Sequence, residues 1–166
     1  DSPTGVYGPR EKDYFLMLKT VKSGLDVGAG FKSQHLTFIY VKDLVDAVYL
    51  ALESSVRNKG YFVADGDVYT DKEYTALVKK ILGKKYVLSL KVPLSVLKVI
   101  SVISEEISKF TKKPSTLNRD KYKIMKQRNW ECDITPLVQD LGFSPKYNLE
   151  RGLRESVEWY KKNHWL

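Results

Sequence analysis

The stretch Leu36-Thr37-Phe38-Ile39-Tyr40-Val41-Lys42-Asp43-Leu44-Val45-Asp46-Ala47-Val48-Tyr49-Leu50-Ala51-Leu52 decides the fold class. Residues 36–41 are rich in aromatic and β-branched side chains and read as a strand. The period then changes. Leu44, Val45, Val48, Ala51 and Leu52 recur at the spacing of one helix face, and Asp43 is placed to cap that helix. A strand feeding an amphipathic helix is the unit of an α/β fold, not of an all-α one.

Working back toward the N-terminus, Gly28-Ala29-Gly30 reads as a glycine-rich loop. Before it, residues 11–23 read as a helix with Tyr14, Leu18 and Val21 on one face, stopped by Gly24. Val6-Tyr7 ends a strand that turns at Gly8-Pro9.

Working forward, residues 61–64 read as a short buried strand ending in the turn Asp65-Gly66-Asp67. Thr70 and Glu73 form a capping-box pattern, a hydroxyl followed three residues later by a glutamate. The helix it opens carries Tyr74, Leu77, Val78, Ile81 and Leu82 and stops at Gly83. Residues 86–90 read as a strand, and Pro93 starts a long apolar helix reaching about residue 110. A loop at 112–115, a polar helix at 119–127 and an extended piece at 130–133 follow. A helix from Thr135 or Pro136 ends at Gly142, and Leu149, Leu153, Val157 and Tyr160 mark the final amphipathic helix. About four strands are legible, fewer than a complete doubly wound sheet commonly has.

The 166 residues suffice for one domain with a sizeable core. A hydrophobic fraction of 43% and a charged fraction of 29% are ordinary for a globular chain. Cys132 is alone, so no internal disulfide forms and a reducing, cytoplasmic setting is expected. His35 and His164 lie far apart, and no zinc-ligand spacing exists. The opening residues lack a signal-peptide pattern. The most apolar stretch, 92–107, is interrupted by Lys98 and Glu105-Glu106 and is too short and charged to span a bilayer. The net charge of +8 favours anionic ligands such as nucleotides, sugar nucleotides or nucleic acid. The lysines are dispersed in pairs, however, which is the pattern of a solvated surface.

Three local motifs invite a chemical reading. Gly28-Ala29-Gly30-Phe31-Lys32-Ser33 lacks the third glycine of a dinucleotide fingerprint and precedes a strand where the fingerprint opens a helix. Tyr122 and Lys126 have the spacing that lets an ammonium lower a phenol's pKa across one helix turn. With eleven tyrosines in so lysine-rich a chain, that match is expected by chance, and no cofactor loop accompanies it. Arg119, Lys121, Lys123, Lys126 and Arg128 form a basic cluster that either meets a phosphate or faces solvent. Asp43, Asp46 and Glu53 read as a cap plus solvent-facing charges, and His35 as a loop histidine. These residues alone support an α/β unit that binds an anion, or a nucleic-acid module.

Pro3-Thr4-Gly5-Val6-Tyr7-Gly8-Pro9-Arg10, followed by Phe38-Ile39-Tyr40-Val41-Lys42-Asp43-Leu44, resembles the extended short-chain dehydrogenases/reductases, the NAD(P)-dependent epimerase/dehydratase family. The tail from Trp130 to Pro145, with Asp133 and Leu141-Gly142-Phe143-Ser144-Pro145, then Gly152-Leu153 and Glu158-Trp159-Tyr160, is similar to the same family. The resemblance covers essentially the whole chain. It implies a single C-terminal substrate-binding portion, residues 1–166, of a Rossmann-type enzyme, with few strands and several helices forming the substrate lobe. The NAD- or NADP-binding half and its tyrosine–lysine pair would precede residue 1, so this portion alone would be inactive and bind no cofactor. Self-association into a homo-oligomer is expected, with no membrane or nucleic-acid partner.

The resemblance also nominates residues. Pro3 and Thr4 would touch the nicotinamide end of the cofactor. Gly5, Tyr7, Arg10, Leu36 and Arg119 would line the pocket of a small-molecule substrate. Sugar-nucleotide members often carry an arginine at the position of Ser2, an asparagine at Gly5 and an arginine at Leu36, and this chain departs from all three. The segment from Gly5 to Pro9, with Tyr61-Phe62 and Asp65-Gly66, also resembles the 3β-hydroxysteroid dehydrogenase branch, whose lipophilic pocket the long helix after Pro93 would suit. Family breadth places sugar nucleotides first and a hydroxysteroid-like substrate second.

Overall fold

The computed structural model describes residues 5–111 and 117–166. The loop expected at 112–115 therefore lies outside the described residues, as do Pro3 and Thr4.

Strand β4 (Phe38–Tyr40) is the centre of the molecule. It pairs in parallel with β1 (Gly5–Tyr7), with Val6 opposite Ile39. All three residues of β4 are buried. Phe38 and Tyr40 point into one core cluster and Ile39 into a second, as strand alternation requires. A strand buried on both faces is the parallel-sheet pattern. The first cluster gathers Tyr7, Leu18, Val21, Tyr74 and Val78 around Leu149, Leu153, Val157 and Tyr160. The second joins Ile39 to Ala47, Leu137 and Phe143.

The helices that build these clusters form where local chemistry directs. Helix α1 (Lys12–Lys22) is capped by the Glu11 carboxylate, which accepts from the Asp13 and Tyr14 amides. Helix α3 (Asp71–Leu82) has the expected reciprocal capping box and ends at Gly83, whose φ of 65° is left-handed. Helix α6 (Thr135–Leu141) ends the same way at Gly142. Helix α7 (Leu149–Lys162) is capped by Asn148 and buries Leu149, Leu153, Val157 and Tyr160, the face read from its periodicity.

Helix α2 (Val41–Glu53) departs from its sequence reading in two ways. Asp43 does not cap it. The carboxylate is buried and accepts from the Lys146 and Tyr147 amides at 3.0 and 2.9 Å, tying α2 to the turn before α7. The apolar stripe also points the other way. Asp43 and Ala47 face inward, with Leu44 and Leu50 packed beside them, whereas Val45, Val48 and Leu52 are exposed.

The expected glycine loop at 28–30 is largely a strand, β2 (Leu25–Ala29), paired in parallel with β6 (Leu88–Val92). Glycine is tolerated within it because the Lys91 side chain lies over Gly28. A Cβ there would stand 2.8 Å from Lys91 Cδ. A third small sheet sets β3 (His35–Leu36) between β5 (Tyr69–Thr70) and β7 (Asn129–Trp130). Residues 61–64, expected as a strand, form none, since only the next residue, Asp65, donates to the β4 backbone at Phe38 O. Helices α4 (Leu94–Thr111) and α5 (Arg119–Lys126) pack against each other beside these sheets. The chain is α/β, as expected. Its seven described strands fall into three small sheets, where about four strands were legible.

Candidate functional site

The N-terminal ends of β1 and β4 bring two of the nominated residues, Gly5 and Leu36, close together. The Gly5 amide donates to Thr37 O at 3.2 Å. Thr37 is buried, and its hydroxyl donates to Trp130 O at 2.7 Å, which draws β7 to the same place. Leu36 precedes Thr37 in β3 and packs against the first core cluster. Cys132 lies alongside, its sulfur 3.4 Å from the Thr37 hydroxyl.

Glycine at position 5 is a packing requirement. A Cβ there would fall on the Tyr14 hydroxyl, and would stand 3.0 Å from Tyr14 Cζ and 3.1 Å from Phe38 Cδ1. Tyr14 thus reaches from the first turn of α1 into the space that any other residue at position 5 would fill. Helix α5 ties α1 to the segment before β3. Lys121 near its start pairs with Asp13 of α1 at 2.9 Å. At its end, the Gln34 amide donates to Met125 O and Gln127 O at 3.2 and 2.6 Å.

Gly5 and Leu36 are therefore neighbours at one end of the β1–β4 pair, and Pro3 and Thr4 immediately precede Gly5 in sequence. The other nominated residues lie elsewhere. Tyr7 is a core side chain. Its hydroxyl reaches Asn148 O at 3.3 Å and Leu149 O at 3.5 Å, and burial pushes its pKa far up. Arg10 sits past the opposite end of β1 in a left-handed conformation, φ 70°, with its guanidinium 6.0 Å from the Trp159 ring. Arg119 is held by α4, its amide donating to Glu105 and its guanidinium 3.6 Å from Glu106.

The other motifs resolve into structural contacts. Gly28 and Gly30 are covered by the chain's own cations. A Cβ at Gly30 would stand 2.9 Å from Arg128 Nη2, and Arg128 donates to Ala29 O and Lys32 O. Lys91, over Gly28, pairs with Asp71 at 2.7 Å. Burial pushes the Asp71 carboxyl up, but Lys91, Ser33 and the Gln34 amide pull it further, down to about 2. These glycines leave no cradle for a pyrophosphate. In the basic cluster, Arg119 and Lys121 pair as above, Lys123 pairs with Asp120 at 3.0 Å, and Arg128 is spent on carbonyls. His35 pairs with Glu131 at 3.3 Å on the surface.

Asp65, in the loop beside β4, is buried, which lifts its carboxyl to about 6 against hydrogen bonds from the Tyr69 hydroxyl and the Asp67 amide. Tyr69 in turn accepts from the Leu149 amide at 3.3 Å, so Asp65 anchors the start of α7. Among the described residues, no His/Cys/Asp/Glu group suits a metal, and no helix is long and apolar enough to cross a membrane. A shallow depression of about 390 Å³ between α2 and Lys146-Tyr147 lies away from Gly5 and Leu36.

Sequence reasoning missed Tyr14, Thr37 and Trp130 as neighbours of Gly5 and Leu36. Tyr14 read only as a core-facing helix residue. Its ring does pack inward, and nothing in the one-dimensional pattern marks its hydroxyl.

No family model matches this chain. It is 26% identical over 161 residues to an uncharacterized protein of Sinorhizobium fredii, covering 95% of this chain and 45% of that protein. Solved structures resemble it across nearly its whole length. A dTDP-glucose 4,6-dehydratase from Bacillus anthracis in complex with NAD matches at TM-score 0.69 and 18% identity, over 98% of this chain and 44% of its own. A UDP-glucuronic acid 4-epimerase from Bacillus cereus, in complex with UDP-glucuronic acid and NAD, matches at 0.67 and 19%, over 96% and 43%. A UDP-glucose 4-epimerase from Thermotoga maritima with UDP-glucose matches at 0.66 and 22%, over 96% and 44%. The chain spans less than half the length of each of these relatives. Its fold is therefore shared with a portion, less than half, of each of these solved structures.

Proposed function

We propose that this chain is the substrate-binding, C-terminal half of an NAD(P)-dependent nucleoside-diphosphate-sugar epimerase or dehydratase. The half that binds the dinucleotide and moves the proton would precede residue 1.

One observation carries the reading. Among the described residues, β1 and β4 form a two-stranded parallel sheet, and β1 has no strand on its other side. A parallel pair of this size is not stable alone and normally lies inside a larger sheet covered on both faces. The exposed apolar face of α2, with Val45, Val48, Tyr49 and Leu52, supports the same reading, because a neighbouring half would cover it. The resemblance to enzymes that bind NAD and sugar nucleotides supplies the chemistry.

In this reading Pro3 and Thr4 approach the nicotinamide end of the cofactor, and Gly5 and Leu36 face the substrate. Arg119 and Arg10 orient neighbouring helices, and Tyr7 supports α7. Among the described residues, the segment at Gly28 and Gly30 does not fit a pyrophosphate, since Lys91 and Arg128 lie over those glycines. The cofactor would be held by the other half.

The test is twofold. The coding sequence upstream of residue 1 should contain a glycine-rich βαβ unit and a Tyr-x-x-x-Lys pair. The full-length protein, given NAD, should convert one of UDP-glucose, UDP-glucuronic acid or dTDP-glucose, followed by chromatography of the sugar nucleotides. Absence of the upstream unit, or inactivity on all three, rejects the proposal.

A further inference from the structure

We propose that strand β6 is a docking edge for a second copy of this chain, the two copies pairing β6 with β6 in antiparallel fashion about Leu90. Their β2–β6 sheets then become one continuous sheet. The surface belongs to a sheet separate from the β1–β4 pair, so the inference stands independently of the function proposed above.

Strand β6 is open on one side. Among the described residues it pairs only with β2. In a parallel pair, successive residues turn their amide and carbonyl alternately toward the neighbouring strand and away from it. The Leu88 amide donates to Gly24 O at 2.8 Å, and Val92 O accepts from the Gly30 amide at 2.7 Å. Leu88, Leu90 and Val92 therefore face β2, and the backbone groups of Ser89 and Lys91 point outward. Among the described residues, no hydrogen bond engages those outward groups. The strand is exposed from Leu88 to Leu90.

The edge is held in place yet left unguarded. On its polar face Ser89 donates to Asp26 at 3.0 Å and Lys91 to Asp71 at 2.7 Å. Its other face is apolar, with Leu88 beside Leu25 and Leu90 beside Val27, all four exposed. Natural edges are commonly blunted by a lysine, a proline or a bulge. Here the lysine is spent on Asp71, Pro93 lies just beyond the strand, and the register with β2 runs without a bulge.

A second copy fits because the open groups are symmetric. Ser89 and Lys91 flank Leu90. A two-fold axis at Leu90 sets Ser89 opposite the partner's Lys91, and Lys91 opposite the partner's Ser89. Each of these pairs exchanges both of its N–H···O bonds, as hydrogen-bonded antiparallel pairs do. Leu88 then meets the partner's Val92, and Leu90 meets the partner's Leu90, apolar against apolar. No like charges face each other. An axis elsewhere leaves part of the five-residue strand unpaired with its counterpart. The contact is isologous and closes on itself.

The experiment is oxidative cross-linking of the full-length protein carrying Leu90→Cys or, separately, Leu88→Cys, read by non-reducing electrophoresis, with wild type as the blank for Cys132. Both leucines are exposed, so neither variant disturbs the core. Opposed residues of a non-hydrogen-bonded pair lie about 4.5 Å apart at Cα, within disulfide reach. The two copies of residue 88 would lie about 13 Å apart along the strands, beyond it. Leu90→Cys should form a disulfide-linked dimer at least about tenfold faster than Leu88→Cys. Absence of that dimer overturns the inference, whatever other interface the full-length protein uses. Equal rates for the two variants mean random collision and overturn it as well.

Discussion

Gly152→Ala is the sharpest test of how α7 docks on β1. At an exposed helical position this change stabilises by about 1 kcal/mol, because alanine is the better helix former. Here Gly152 is buried, and a Cβ would fall on the Tyr7 hydroxyl and stand 2.7 Å from Tyr7 Cζ and 2.8 Å from Cε2. The ring has nowhere to retreat. It is 2% exposed and touches Tyr14, Phe38 and Tyr40. Overpacking of this kind costs about 1–3 kcal/mol, and an overlap with three atoms of one buried ring belongs at the upper end. The hydrogen bonds from Tyr7 to Asn148 O and Leu149 O would be lost as well. Set against the helix-propensity gain, the net loss is about 2 kcal/mol. That corresponds to a fall in Tm of about 4–8 °C for a chain of this size. Thermal unfolding by near-ultraviolet circular dichroism measures it. The double variant Tyr7→Leu/Gly152→Ala should cost less than the sum of the two single variants by at least about 1 kcal/mol, since the leucine vacates the clash. A rise in Tm for Gly152→Ala, or strict additivity in the cycle, would refute the packing assigned to Tyr7.

Three further outcomes are expected. Asp65 has a folded-state pKa of about 6, raised by burial above its ordinary 3.8, so the folded chain binds its proton more tightly than the unfolded one. Its contribution therefore favours folding at low pH and is lost as pH rises through 6, by about 1–2 kcal/mol after allowance for solvent screening. Asp65→Asn keeps an acceptor for Tyr69, so in urea unfolding its stability relative to wild type should improve between pH 4 and pH 7, and a constant difference contradicts the assignment. Thr70→Ala breaks the capping box of α3, in which Glu73 N donates to the hydroxyl at 3.2 Å, and should cost about 1 kcal/mol and about 3 °C in Tm. Finally, calorimetry of the 166-residue chain with NAD should show no binding, whereas micromolar affinity would mean that a cradle exists despite Lys91 and Arg128 over Gly28 and Gly30.

What the sequence disclosed depended on how local the controlling physics is. The capping box at Thr70 and the stop at Gly83 were legible because a few neighbouring residues determine them. The buried face of α7 was legible because its periodicity is unbroken. Strand β2 was not, because glycines at 28 and 30 signal a loop unless the Lys91 and Arg128 side chains that cover them are known, and both lie far along the chain. The direction of the α2 stripe was hidden for a related reason. Periodicity reveals that Val45, Val48 and Leu52 share a face, but not whether that face meets this chain's own core or something else. The buried carboxylate of Asp43 read as a cap because its partners, the Lys146 and Tyr147 amides, lie about a hundred residues away. At the end of the β1–β4 pair, Gly5 and Leu36 came from family resemblance, and Thr37, Tyr14 and Trp130 only from the fold.

Two glycine–tyrosine pairs show why such a site resists one-dimensional reading. Gly152 admits the Tyr7 ring, and Gly5 admits the Tyr14 hydroxyl, by the same device of a missing Cβ. Both tyrosines join one aromatic cluster, and both look like core residues in a pattern of apolar spacing. They differ only in what meets the oxygen. At Tyr7 it is the backbone at the start of α7, so the hydroxyl serves folding. At Tyr14 no group of the described chain meets it. Comparing Tyr7→Phe with Tyr14→Phe by thermal unfolding isolates that difference: the first removes the bonds to Asn148 O and Leu149 O and should lower Tm, and the second removes no bond to the described chain and should leave Tm nearly unchanged.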